Sequence, residues 1–287
     1  MNTTDNNQHH ELVDRHSKGF LSGGSFRWER SQADIREELL QKIAERPHTR
    51  VIRLNPVWIA AASLALLVGI TAFLRFFTTT VATPAGVHQL ALLPDGSQVE
   101  LNAQSTLSYH PLWWFVERKL TFEGEAFFKV EKGKNFKVES ARGTTQVLGT
   151  SFNIFSRDQL YRVTCASGKV RVSSSPGNQA VLLPNSRAEV LPDGQIEVVR
   201  NVDLNSEISW RNNIFLFTAT PLPDVFREIE RQYAVTIEMK VNSYDLYTGN
   251  FTRSQKIEEV LSFVCPAAGL TFKKKSDNVY LVLKDLN

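Results

Sequence analysis

The pattern of apolar and polar positions contains one stretch without any ionisable side chain, from Leu54 to Leu74. Its 21 residues, at ~1.5 Å each, make about 30 Å of helix, which is enough to cross a bilayer. A buried core helix keeps a polar face, and this stretch has none. It begins too far along the chain for a cleavable signal peptide. We therefore predict one transmembrane helix over residues 54–76.

The segment before the span, residues 1–53, carries an apolar stripe. After Ser31, a residue type that caps helices, apolar side chains recur every four residues, and two aromatic residues lie just upstream. About twenty residues cannot bury such a stripe alone, so we expect it to pack on another molecule, on the membrane surface or on a second copy. A juxtamembrane spacer is the alternative. The predicted contact residues are Phe26, Trp28, Ile35, Leu39 and Ile43.

Residues 80–200 alternate apolar and polar positions at period two, for example at Val99 and Leu101 and again at Val170 and Val172. Gly- and Pro-containing turn signals separate the alternating runs, and no helix-period stretch interrupts them. The pattern predicts an all-β domain, either a sandwich or a short solenoid of stacked strands.

Residues 210–287 read as β-α-β-β-α-β-β, with Thr220 capping the first helix and Ser254 the second. We predict a small α/β sandwich with both helices on one face of a single sheet. Edge strands of such sheets can accept a partner's strand. The predicted docking residues lie on the last strand and are Val279, Tyr280, Leu281 and Val282.

The charge distribution predicts an orientation. Four basic residues lie just before the span, between positions 42 and 53, whereas Arg75 is followed by no Lys or Arg until Arg118. The positive-inside rule therefore places the N-terminus in the cytoplasm and residues 76–287 outside it. A net charge of +3 on 287 residues does not indicate a nucleic-acid-binding protein. The four basic residues just before the span are Lys42, Arg46, Arg50 and Arg53.

The sequence offers no recognisable catalytic frame, phosphate loop or metal spacing, so we predict no enzyme, catalytic residue, metal or cofactor. Glu123 and Glu125 flank Gly124, and we interpret them as structural residues that point to the same face. Cys165 and Cys265 both lie in apolar patterns, which favours two buried free thiols over a disulfide.

Two further clusters are ambiguous. Residues 112–115 (LWWF) form a dense apolar group, which is either buried at a corner of the β domain or exposed as a docking patch. Lys273–Lys275 precedes Ser276-Asp277-Asn278, and we expect these lysines to lie in a solvated loop.

Several ordered strings resemble the FecR-type transmembrane sigma-factor regulators, most closely those of Bacteroidetes. They cover roughly residues 80–173, and the tail resembles the family's C-terminal domain, which is similar to the short secretin/TonB N-terminal fold. The matching strings are residues 93–102 (LPDGSQVELN), Ser105, Arg118, 124–130 (GEAFFKV), 136–138 (FKV), 147–154 (VLGTSFNI), 221–222 (PL), 230–233 (ERQY) and 247–251 (YTGNF).

The resemblance implies an anti-sigma factor in the inner membrane. Its cytoplasmic piece is expected to bind an extracytoplasmic-function (ECF) sigma factor. Its C-terminal domain is expected to contact the periplasmic signalling domain of a TonB-dependent outer-membrane transporter, and membrane proteases are expected to cut the chain. Residues 1–53 are shorter than the cytoplasmic part of many relatives. The alternatives are a membrane-anchored periplasmic ligand- or glycan-binding module and a component of an envelope assembly.

Overall fold

The computed structural model describes residues 31–45, 55–175, 177–241 and 245–285. The chain divides into two compact units between Ala61 and Ala62. The helices are α1 (Gln32–Ala44), α2 (Pro56–Phe76), α3 (Leu204–Glu207), α4 (Leu222–Tyr233) and α5 (Ile257–Ala267), with 3-10 turns at Pro111–Trp113 and Ser209–Asn212. The strands are β1 (Thr79–Thr83), β2 (Gln89–Leu92), β3 (Gln98–Leu101), β4 (Ser105–Tyr109), β5 (Arg118–Lys129), β6 (Phe136–Glu139), β7 (Gly143–Val147), β8 (Ser151–Arg157), β9 (Leu160–Ser167), β10 (Val170–Ser174), β11 (Gln179–Leu182), β12 (Ser186–Val190), β13 (Ile196–Arg200), β14 (Ile214–Pro221), β15 (Thr236–Met239), β16 (Leu246–Thr252), β17 (Leu270–Ser276) and β18 (Val279–Lys284).

Ser31 caps helix α1, as predicted, and its cap is a capping box with Asp34. The Ser31 hydroxyl accepts from the backbone N–H of Ala33 at 3.1 Å, and the Asp34 carboxylate accepts from the backbone N–H of Ser31 at 3.2 Å. These contacts satisfy amide groups that the first helical turn leaves unpaired. None of its residues is buried.

Helix α2 has the length and composition predicted for a membrane span. Among its 21 residues Arg75, near the C-terminal end, is the one charged residue, and none of the 21 is buried. Among the described residues it is the one helix that is long and apolar enough to cross a membrane.

Strands β1 to β13 form one sheet that folds around a single apolar core. The 12-residue strand β5 belongs to both halves of this sheet. Its first half pairs with β4 and β6, and its second half pairs with β3 and β8. All pairings in the sheet are antiparallel except β5 with β6. The predicted all-β domain is therefore confirmed, and its strands form one nearly closed sheet.

Glu123 and Glu125 lie on the same face of β5, as predicted, but differ in burial. Gly124 has φ +115°, and the two halves of the strand meet there. Phe122 and Ala126, on either side of this glycine, both belong to the apolar core of the β domain, so the alternation continues through it. Glu123 is exposed, whereas Glu125 is buried where the C-terminal part covers this outer face.

The C-terminal part contains the predicted order of strands and helices, but not the predicted single sheet. Strands β14 and β16 form one antiparallel pair, and β15, β18 and β17 form a separate three-stranded sheet. Both sheets and both long helices share one apolar core, because α4 buries Val225 and Ile229 while α5 buries Val260 and Val264.

Local details of this part also differ from the predictions. Helix α4 is preceded by Pro221 rather than Thr220 at the N-cap, and α5 by Lys256 rather than Ser254. Lys273–Lys275 lies within strand β17 and not in a loop, although the lysines are exposed as expected. The strand extends to Ser276 because it pairs with β18 along this length.

Candidate functional site

The apolar stripe of α1 is uncovered among the described residues. Leu39, Leu40 and Ile43 are 55%, 58% and 58% exposed, and Ile35 is half-buried. Four apolar residues on a 13-residue helix leave a surface that a binding partner can bury. Phe26 and Trp28, the other two predicted contact residues, lie outside the described residues.

Strand β18, which carries the predicted docking residues, lies in the centre of its sheet. It pairs with β15 in parallel and with β17 in antiparallel fashion, so neither side of its backbone is free. Tyr280 and Val282 are buried, whereas Val279 and Leu281 are half-buried. Docking at these residues stays a prediction, and a partner strand would have to add at β15 or β17.

A buried polar network joins the β domain to the C-terminal α/β part. The carboxylate of Glu125 accepts from the side-chain amides of Asn102 at 2.9 Å and Asn153 at 3.0 Å. The side-chain amide of Gln232 on α4 donates to the side-chain oxygen of Asn102 at 2.9 Å. The indole N–H of Trp210 donates to the side-chain oxygen of Asn153 at 3.3 Å. Both asparagines therefore connect the carboxylate on β5 to the C-terminal part.

Burial and hydrogen bonds have opposite effects on the charge of Glu125. Burial is the largest influence and raises the pKa of this carboxyl, and Glu228 on α4 raises it further. Arg157 and the amide donors Asn153 and Asn102 lower the pKa, but the net direction is upward. A carboxylate accepts from both amides, whereas the protonated acid turns one oxygen into a donor.

His88 extends the network. Its Nε2 lies 3.0 Å from the side-chain oxygen of Gln232, and its ring meets that of Trp210 edge-on with centroids 5.6 Å apart. Burial lowers the pKa of His88, so the neutral ring is favoured there.

Ion pairs surround the network at the same junction. Arg211 makes a two-point contact with Glu100 at 2.5 and 2.7 Å, and its guanidinium lies 3.9 Å from the centroid of the Phe127 ring. Arg187 of β12 pairs with Glu207 of α3 at 2.6 Å. These contacts join strands of the β domain to the segment that leads into the α/β part.

A cleft of about 700 Å³ opens beside this junction. Its lining includes Glu125, Asn153, strand β14 and charged side chains of both signs. Within the described part of the chain, strand β14 pairs with β16 alone, and its other edge has no partner strand there. Among the described residues no group of three or more acidic, His or Cys side chains could hold a metal ion.

Comparison with known families identifies both parts of this structure. The FecR protein family model matches residues 79–171, which span β1 to the start of β10, and the FecR C-terminal family model matches residues 214–281, from β14 into β18. The chain belongs to the FecR family.

Two solved structures resemble this FecR-family chain. Both are crystal structures of a protein of Parabacteroides distasonis described as a putative anti-sigma factor, at 1.65 and 2.50 Å resolution. They align with TM-scores of 0.65 and 0.66 at 29% sequence identity, and they cover 72% of this chain and 99% of their own. A search of curated proteins finds no significant match.

Four of the junction residues lie inside the strings that carry the FecR resemblance. Asn102 ends the first string, Glu125 follows Gly124 in the second, Asn153 follows Phe152, and Gln232 lies within ERQY. Asn102, Glu125 and Asn153 are direct neighbours of the core residues Leu101, Ala126 and Phe152, so strand alternation places them on the outer face and predicts solvent there. The alternation therefore did not identify them as a site, because their burial depends on the C-terminal part.

Both thiols of this FecR-family protein are free and buried, as predicted. Burial raises the pKa of Cys165 to about 11 and that of Cys265 to about 12. Because the thiolate is the reactive form, neither cysteine is suited to redox or nucleophilic chemistry near neutral pH.

Proposed function

We propose that this chain is an anti-sigma factor that crosses the inner membrane once and relays a signal by protein–protein binding. The observation that carries the proposal is the match of both FecR family models to the parts that follow a helix of membrane-spanning length. The similar Parabacteroides distasonis protein, described as a putative anti-sigma factor, supports the same role.

The N-terminal segment is the sigma-binding part in this proposal, and it lies in the cytoplasm. The basic residues before α2 favour this orientation by the positive-inside rule. The exposed stripe of α1 offers Ile35, Leu39 and Ile43 to an ECF sigma factor, with Phe26 and Trp28 just upstream. An amphipathic helix of this kind binds by laying its apolar face into a groove.

The α/β part receives the signal from the periplasmic signalling domain of a TonB-dependent transporter. Because β18 is paired on both sides, the partner contacts Val279 and Leu281 through their half-buried side chains or adds a strand at an edge of the same sheet. The edge strand β17 carries Lys273–Lys275, which favours an acidic partner surface.

The signal then passes through the junction at Glu125 to the β domain and to α2. Cleavage by membrane proteases would release the cytoplasmic segment and with it the sigma factor. The chain itself catalyses nothing and contacts no nucleic acid in this scheme. Its role consists of binding and being cut.

Co-purification of the full-length protein from native membranes tests the proposal. We expect one ECF sigma factor to be recovered with the wild type and to be lost with the double variant Trp28→Ala, Leu39→Ala. Gln41→Ala, on the opposite face of α1, is the matched control and should retain the sigma factor. Recovery of membrane proteins alone, without a sigma factor, would count against the proposal.

A further inference from the structure

The loop between β4 and β5 lies beside the end of α2. The Nδ1 atom of His110 is 3.2 Å from the backbone oxygen of Phe77 and 3.1 Å from the Thr78 hydroxyl. The guanidinium carbon of Arg75 lies 5.9 Å from the centroid of the Trp113 ring. The loop is therefore held against the point where the chain leaves the helix.

Trp114 fixes the base of this loop in the β domain. It is 1% exposed, and its ring packs edge-on against Tyr109 and Phe136 with centroid distances of 5.5 and 5.7 Å. The loop is therefore attached to the core, and its outer side chains have a defined position.

The residues around Trp114 point their apolar side chains into solvent. Leu112, Phe115 and Val116 are 44%, 77% and 63% exposed, and at the end of α2 Phe76 and Phe77 are 72% and 44% exposed. Single exposed apolar residues are ordinary, but a cluster of this kind indicates a contact with a membrane or a partner. The sequence left open whether residues 112–115 are buried or exposed; the structure buries only Trp114.

The position of the cluster identifies its partner as lipid. Strand β1 begins at Thr79, three residues after the end of α2 at Phe76, and three residues reach at most about 10 Å. If α2 spans a bilayer, the loop lies at the level of the headgroups, where aromatic side chains and an arginine are favoured.

We infer that residues 112–116 form a membrane-surface anchor of the β domain. Leu112, Phe115 and Val116 enter the interface between the headgroups and the acyl chains, beside the exit of α2. The inference rests on the proposed function, in that it needs α2 to span the membrane. The β domain is then attached to the membrane through both α2 and this loop, which restricts its rotation about the axis of α2.

A depth measurement on the full-length protein tests the anchor. Phe115→Cys is labelled with the environment-sensitive nitrobenzoxadiazole fluorophore and reconstituted into vesicles of phosphatidylethanolamine and phosphatidylglycerol that carry nitroxide lipids. The native Cys165 and Cys265 are buried and stay unlabelled, so one label per chain also reports that the domain is folded.

Two sites serve as references. Val181→Cys, 58% exposed on β11, is the control for an apolar surface residue, because β11 lies six strand positions from β1 along the sheet. Leu66→Cys lies within α2 and reports whether the helix is in lipid.

We expect the label at 115 to emit at shorter wavelength and to lose intensity with nitroxide lipids, and the label at 181 to do neither. Emission and quenching at 115 that match those at 181 would overturn the anchor. If the label at 66 is quenched in that case, the membrane span stands and only the anchor fails. An unquenched label at 66 would overturn both the anchor and the membrane-spanning function.

Discussion

Gly124 occupies the position where β5 passes from one half of the sheet to the other. Its φ of +115° is one that other residues rarely adopt, and a Cβ there would lie 2.4 Å from the Ser105 hydroxyl and 2.5 Å from the Ser105 Cα. A residue with a Cβ at this position would therefore have both a strained backbone and a steric clash with Ser105. The sequence indicated a turn signal at this glycine, and the bend within a continuous strand became visible only with the partner strands in place.

Gly124→Ala should be strongly destabilising. We expect a loss of about 2–5 kcal/mol from positive-φ strain and overpacking together. Gly177→Ala is the matched control, because Gly177 has φ +103° but no atom within 4 Å of the added Cβ. It should lose only about 1–2 kcal/mol. Thermal or chemical unfolding of the full-length protein in micelles measures both, and equal losses would contradict the close approach to Ser105.

Glu125 gives the junction a dependence on pH with a defined sign. Its pKa in the folded protein lies above the usual value of 4.5. Its contribution to stability is therefore fully present below pH 4.5 and is lost as the pH rises through the raised pKa. His88 acts in the other direction, because its lowered pKa gives a contribution that is present above 6.5 and is lost as the pH falls.

The variant Glu125→Gln separates the contribution of Glu125 to the pH dependence of stability from that of His88. The variant removes the titration at position 125, so the stability of the wild type relative to the variant should be greatest at acidic pH and should fall as the pH rises from about 4.5. Melting temperatures of both proteins across the pH range measure this difference. Glu123→Gln, at an exposed position of the same strand, is the matched control and should change the melting temperature little. A pH-independent difference at position 125 would contradict the raised pKa.

Among the elements, β5 connects the two halves of the sheet. Phe128 is fully buried in its second half and stacks on Phe152 of β8 with ring centroids 5.1 Å apart. The next residue, Lys129, is exposed. The two neighbours thus offer a test of which face of the strand points into the core.

Phe128→Asp should unfold the β domain, since it replaces a core aromatic ring with an unpaired buried charge at a cost of at least about 4 kcal/mol. Lys129→Asp, one position along the strand, should change stability by no more than about 0.5 kcal/mol. Limited proteolysis and circular dichroism of the two variants provide the measurement. A folded Phe128→Asp protein would show that the assignment of the inner face is wrong.

Local patterns predicted the elements better than their arrangement. The period-two runs around Val99 and Val170 are strands, and the face of α4 that carries Val225 and Ile229 is buried. The central position of β18 and the division into two C-terminal sheets depend on which strands pair, and that choice is made by tertiary packing rather than by each strand's own pattern. The contact of Gln232 with Asn102 spans 130 residues, which no local pattern can indicate.

The whole molecule is proposed to work by having its two ends on opposite sides of a membrane. Alkaline phosphatase, which is active only outside the cytoplasm, should be inactive when fused after residue 45 and active when fused after residue 285. β-Galactosidase fusions at the same positions should show the reverse. Activity of the phosphatase at position 45 would contradict the orientation inferred from the basic residues before α2.

The most direct test of the central claim is a two-hybrid assay of residues 1–53 against every sigma factor of the same genome. We predict binding to one ECF sigma factor, which is weakened by Leu39→Ala and retained by Gln41→Ala. Failure to bind any sigma factor would contradict the proposed function, and would leave the chain as an envelope protein whose outer domains do its work.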